Sequence, residues 1–191
     1  MVEVRYSVYR SQASVPEPGV ISHNGKIAKL IFGEFDRPNS QRAEALRAIF
    51  EGSGIESEVV KDIEVQLWSK FALIASMSAI NCLMRLPIGA VLADDDGRQL
   101  FMDAMREVVA VAAARGVILP KDIIERHIAF CEAIPNAKAS MLQDLERGKR
   151  LEVHYQSGTV ARLGAEVGVS TPIHRTAFVA LKPYAEGRPK L

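Results

Sequence analysis

Residues 62–85, DIEVQLWSKFALIASMSAINCLMR, decide the fold. Asp62 suits a helix N-cap and Glu64 a first turn, where a carboxylate meets the positive end of the helix dipole. Neither proline nor glycine interrupts the run before Leu86-Pro87, so it reads as one long helix ending near Arg85. Its most apolar part, Phe71 to Met84, lies between Lys70 and Arg85. That part is shorter than the roughly 20 residues of a membrane span, so it predicts a helix buried in a protein core. The helix is apolar on more than one face, a pattern that asks for neighbours all round: other helices, a second chain or another domain.

Downstream, helices continue. Gly97 to Arg115 places Leu100, Met105, Val108, Val109 and Ala112 at helical spacing, with Gly116 as its stop. Pro120 opens a helix reaching about Ala133, Ala137 to Arg147 forms another ended by Gly148, and Glu152 to Val167 a fifth ended by Gly168. Thr171-Pro172 starts a sixth, reaching about Lys182, and the polar tail from Pro183 reads as loose. Upstream the pattern changes. Val2 to Tyr9 alternates like a strand. Val20 to Ser22 and Ile27 to Phe32 flank His23-Asn24-Gly25, a hairpin signal. Ser40 caps a helix through Ala43, Leu46 and Ile49 that ends at Gly52 and Gly54, and Ile55 to Val60 returns as a strand. The expectation is a mostly α protein: residues 1–60 a partial α/β segment, residues 61–191 a helical domain.

Composition narrows the function. The 191 residues carry 24 Lys+Arg against 23 Asp+Glu, a net charge of +1, with 48% apolar and 25% charged side chains. That is an ordinary globular mix, which excludes disorder and collagen-like repeats. Near-zero charge argues against a nucleic-acid partner held by phosphate contacts. Met1 to Gln12 holds no signal-type apolar core, and no membrane partner is expected. Cys82 and Cys131 are too few for a disulfide framework or zinc cluster, and read as reduced thiols of a cytoplasmic protein.

Lys70 is the most informative residue, charged between Leu67, Phe71, Leu73 and Ile74. Apolar surroundings lower a lysine's pKa toward a range useful for proton transfer. The commoner arrangement lays the stem on the apolar face and sends the ammonium to water. Glu152, just after Gly148, and Ser140, at the start of a helix, have equally plain readings as first-turn residues. His23, His127, His154 and His174 lack metal-ligand spacing, and Asp94-Asp95-Asp96 reads as a solvated turn and helix cap rather than a calcium loop.

Taken together, these residues resemble the ketopantoate reductase (2-dehydropantoate 2-reductase) family. The likeness rests on Leu67-Trp68-Ser69-Lys70-Phe71, Arg85-Leu86-Pro87-Ile88-Gly89, Met105-Arg106-Glu107-Val108, Ala113-Ala114-Arg115-Gly116-Val117 and Ser140-Met141-Leu142-Gln143-Asp144-Leu145 with Gly148 and Glu152. Glu17-Pro18-Gly19-Val20 and Ile27 to Phe35 are similar to the closing strands of that family's nucleotide-binding domain. The resemblance implies a C-terminal domain like that of 6-phosphogluconate dehydrogenase, preceded by a truncated Rossmann segment. It implies NADPH-dependent reduction of a small 2-keto acid in pantothenate biosynthesis, in a cleft between domains of a homodimer. Lys70 would hydrogen-bond the keto oxygen and protonate the alkoxide. Glu152 would hold a substrate hydroxyl and assist Lys70, and Ser140 would contact the substrate carboxylate, with Asp144 in structural support.

Two departures qualify the expectation. The family often places asparagines four and eight residues after the lysine; here Ile74 and Ser78 occupy that substrate-facing stripe. An alkyl group leaves a substrate hydroxyl unpaired, which favours a more apolar 2-keto acid. The glycine-rich turn that seats a pyrophosphate is missing, since Gly52-Ser53-Gly54 follows a helix and reads as a turn. The chain alone is therefore expected not to hold NADPH and to be inactive by itself. The alternatives are a non-catalytic helical dimerisation module and a reductase of the same fold for another small acid.

Overall fold

The computed structural model describes residues 6–10, 13–23, 29–35, 40–53 and 55–189. The chain forms two compact units, Met1–Leu67 and Trp68–Leu191. In the first, strands β1 (Tyr6–Arg10), β4 (Lys29–Gly33) and β5 (Glu56–Val59) make a sheet in the order β1-β4-β5. β1 runs antiparallel to β4, with Tyr6 opposite Gly33, and β5 runs parallel to β4. The parallel pair needs a crossover, supplied by helix α1 (Gln41–Gly52). As expected, Ser40 caps α1: its Oγ accepts the Ala43 N–H at 3.2 Å. Phe32, Ala43 and Ile63 are sealed from solvent, and the Phe32 and Phe50 rings lie 6.1 Å apart.

The expected hairpin between Val20–Ser22 and Ile27–Phe32 does not form. β3 (Val20–His23) pairs instead with β2 (Ala13–Glu17), in a two-stranded ribbon separate from the β4 sheet. Its turn is Pro18-Gly19, with Gly19 at φ 87°, a conformation glycine adopts without steric cost. Asn24-Gly25 lies outside the described residues, as do the first four residues of the expected N-terminal strand, Val2 to Arg5.

Helix α2 (Ile63–Met84) is capped by Asp62, whose Oδ1 accepts from Val65 N at 3.2 Å. It is longer than its apolar stretch and, by length and apolarity alone, would also suit a membrane span. Its contacts are those of a core helix. It walls three apolar clusters of the second unit. Ile80 packs with Ile88, Phe101, Met105 and Ile128. Cys82 packs with Met141, Leu142, Leu151 and Val153, and Ala72 and Ala75 with Val108, Val111 and Val160. Part of the apolar surface that asks for neighbours is thus covered by these helices.

The remaining helices are α3 (Ile88–Leu92), α4 (Asp95–Ala114), α5 (Ile123–Glu132), α6 (Ser140–Glu146), α7 (Ser157–Val167) and α8 (Pro172–Leu181). Asp94 caps α4, accepting from Gly97 N at 2.7 Å, so the acidic run is the helix start expected for it. Three readings change. α3 is a short helix in a stretch to which the sequence assigned no element. α7 begins at Ser157, leaving Glu152 in the preceding turn. The tail is packed through Ala185: a 3₁₀ turn covers Lys182–Tyr184, and Ala185 joins the Leu151 cluster and accepts the Leu151 N–H at 3.0 Å.

Candidate functional site

Lys70, Ile74 and Ser78 recur at one-turn spacing along α2 and so share a stripe. Their exposure differs. Lys70 is half-buried, Ile74 is 37% exposed and Ser78 only 1%. Lys70 and Ile74 therefore reach the surface, whereas Ser78 is sealed within the packing. Asn81, one turn beyond Ser78, is fully buried, and its Oδ1 accepts the Ala139 N–H at 2.9 Å. This bond docks the start of α6 on α2. Ser140, the first residue of α6, is exposed there.

Glu152 reaches α2 by another route. Leu151 and Val153 on either side of it belong to the Cys82–Met141 cluster. Val160, further along the same segment, packs with Ala72 and Ala75. The segment carrying Glu152 thus runs back along α2 toward the Lys70 end. Its carboxylate is exposed and accepts from Gln156 Nε2 at 3.0 Å. Among the described residues it meets this amide rather than an ammonium. Gln156 was missed by sequence reasoning, although an acid and an amide one turn apart was the available signal. The role of Asn81 as the anchor of α6 likewise has no local signal, because Ala139 lies 58 residues further along the chain.

Behind these elements lies a polar centre built on His174 of α8, 0% exposed. His174 Nε2 lies 3.1 Å from the Ala104 carbonyl, an acceptor only, so Nε2 carries the proton and donates. Nδ1, 3.2 Å from Ser157 Oγ, then accepts from that hydroxyl. Ser76 Oγ lies 3.5 Å from Nε2. Glu107 of α4 accepts the backbone N–H groups of Ile173 and His174 at 2.8 and 3.0 Å, satisfying the start of α8. Burial pushes His174 down to about 4 and raises Glu107 above the usual carboxylate range. Scattered in sequence, the histidines gave no sign of this centre, because its partners come from α2, α4 and α7.

A dinucleotide's pyrophosphate needs backbone N–H groups and a positive helix end, usually after a glycine-rich turn. Among the described residues, two strand-to-helix connections exist, β4–α1 and β5–α2, and each bears a carboxylate at the helix start. Glu34, 8% exposed, accepts from Ser40 Oγ at 2.7 Å and from Arg42 Nε and Nη2 at 2.9 and 2.7 Å. Asp62 caps α2. An anion already occupies each end, so these residues do not fit the pyrophosphate.

A mostly helical domain following a short α/β segment, with lysine, serine and glutamate carried on elements around one central helix, defines a class before it defines a name. The family described as ketopantoate reductase PanE/ApbA, C-terminal, matches residues 62–185. The chain belongs to this family. It is 28% identical over 179 residues to the 2-dehydropantoate 2-reductase of Pyrobaculum aerophilum, covering 94% of this chain and 59% of that protein. It is 30% identical over 174 residues to the enzyme of the same name from Caulobacter vibrioides, covering 91% of this chain and 59% of that protein. The crystal structure of a PanE/ApbA family ketopantoate reductase from Ralstonia eutropha JMP134 superposes with a TM-score of 0.84 at 27% identity, covering 94% of this chain and 58% of that one. The chain spans about three-fifths of the length of these relatives.

Proposed function

We propose that this chain is the substrate-binding part of a reductase of the 2-dehydropantoate 2-reductase type, acting on a small 2-keto acid with NADPH as the reductant. The observation that carries the proposal is the common scaffold: α2 bears Lys70, and through Asn81 it holds the start of α6 with Ser140. Lys70 donates a hydrogen bond to the keto oxygen. As the carbonyl is reduced, negative charge grows on that oxygen, and a fixed cation acts where charge develops. Lys70 then supplies the proton that completes the alcohol. The Ser140 hydroxyl meets the substrate carboxylate, and Glu152 accepts a hydrogen bond from a substrate hydroxyl. Ile74, exposed one turn from Lys70, favours an acid with an apolar branch on that side.

The same reading makes the protein a cytoplasmic homodimer. Cys82 and Cys131 are free, and burial pushes both thiols up to about 12, so neither is a ready nucleophile. Sedimentation of the chain tests the dimer. The reaction is tested with a panel of 2-keto acids and NADPH or NADH, using the chain extended to the full length of its relatives. There Lys70→Ala should lower kcat by about 10²–10⁴ while KM changes little. Undiminished turnover would remove Lys70 from the chemistry.

A further inference from the structure

The turn holding Glu152 closes on that residue twice. The backbone N–H groups of Tyr155 and Gln156 donate to the Glu152 carbonyl at 2.9 and 3.0 Å, and the Gln156 side chain donates from Nε2 to Glu152 Oε2 at 3.0 Å. Glu152 is exposed, yet Gln156 is only 5% exposed. The carboxylate dictates how the amide faces, because only its NH₂ end can meet an anion. The amide's Oε1 is consequently buried without a hydrogen-bond partner. A buried amide oxygen without a donor is destabilising. A methionine or leucine would fill the space without that cost, so what the amide adds is its donor to Glu152.

We propose that Gln156 is a positioning residue for Glu152: it occupies Oε2 and leaves Oε1 as the acceptor the carboxylate offers to a ligand. Among the described residues, Glu152 Oε1 takes no hydrogen bond or ion pair. Gln156 is itself anchored. Its carbonyl accepts the Val160 N–H at 3.1 Å, and the next residue, Ser157, bonds to the buried His174 at 3.2 Å. A free surface glutamate samples many rotamers and offers either oxygen. A held one presents a single acceptor in a fixed direction, so less freedom is lost when a hydroxyl binds.

The inference rests on the reading of Glu152 as the acceptor for a substrate hydroxyl, and two measurements separate the two. The first needs no activity. In ¹⁵N–¹H spectra of the chain, the Gln156 side-chain amide, assigned by its absence in Gln156→Met, should lose the downfield position of a carboxylate-bonded amide in Glu152→Ala. Glu152 is exposed, so this variant leaves the core intact. An unmoved signal overturns the positioning role. The second compares two 2-keto acids that differ by one hydroxyl, in the extended protein. Gln156→Met should cost about tenfold in kcat/KM for the hydroxylated acid, the scale of one hydrogen bond to a charged group, and leave the other acid unchanged. Equal losses for both acids would reduce Gln156 to a packing residue. If the unsubstituted protein reduces neither acid, the reductase reading fails, while the spectra still decide whether Gln156 holds Glu152.

Discussion

Single residues here divide between the surface of α2 and the interior of the helical unit. Ile74 offers alkyl surface where an amide would offer two donors and an acceptor. Ile74→Asn should raise kcat/KM for a hydroxylated 2-keto acid over its deoxy analogue by about tenfold, measured as the ratio of the two. An unchanged ratio would take Ile74 out of substrate selection. In the interior, burial pushes His174 down to about 4 from an ordinary 6.5. Between those values the unfolded chain binds a proton that the folded chain refuses. Stability is therefore undiminished above pH 6.5 and falls as pH drops toward 4, by up to ~3 kcal/mol. Glu107, whose carboxyl is raised by burial, works in the opposite direction. The difference between wild type and His174→Gln therefore isolates the histidine. Urea titrations should show a flatter pH dependence in the variant, and parallel curves would mean that His174 does not carry the effect.

Among the elements, α3 shows how closely the helices are fitted. Gly89 donates its N–H to the Pro135 carbonyl at 2.8 Å. A Cβ at Gly89 would lie 2.6 Å from Pro135 Cβ and 2.7 Å from Pro135 O. Gly89→Ala should therefore destabilise the helical unit by about 1–3 kcal/mol, seen as a lower urea midpoint with unchanged slope. A wild-type midpoint would show that the loop at Pro135 yields freely. The Pro87-Ile88-Gly89 string was visible in the sequence, but its reason was not, since Pro135 lies far along the chain. The β3–β4 hairpin failed for a related reason. Asn-Gly favours a local turn, whereas the partner of each strand is chosen by the whole sheet: β1 and β5 take both edges of β4. Helix limits set by local chemistry, such as Ser40 before α1 and Asp94 before α4, were legible. Glu152 was misplaced into α7 because an acid after glycine resembles a helix start, although here the turn closes first.

For the molecule as a whole, the question is what this chain can bind. Glu34 and Asp62 place carboxylates at the helix starts where a pyrophosphate would need positive potential. Titration calorimetry of the 191-residue chain with NADPH should accordingly give no binding in the micromolar range. A version extended to the full length of the relatives should bind there. Micromolar binding by the chain alone would overturn the reading of those two helix starts.

The helical class, the central apolar helix, most helix boundaries and the family likeness follow from local order along the chain: periodicity, caps and short motifs act between residues a few positions apart. The Gln156–Glu152 clasp, the docking of α6 on Asn81, the His174 centre and the true strand pairing depend on which surfaces meet. The clasp is local in sequence, but the burial of Gln156 belongs to the packed fold. A hydrogen bond inside a core forms between groups whose burial leaves them no other partner, and burial belongs to the packed molecule as a whole.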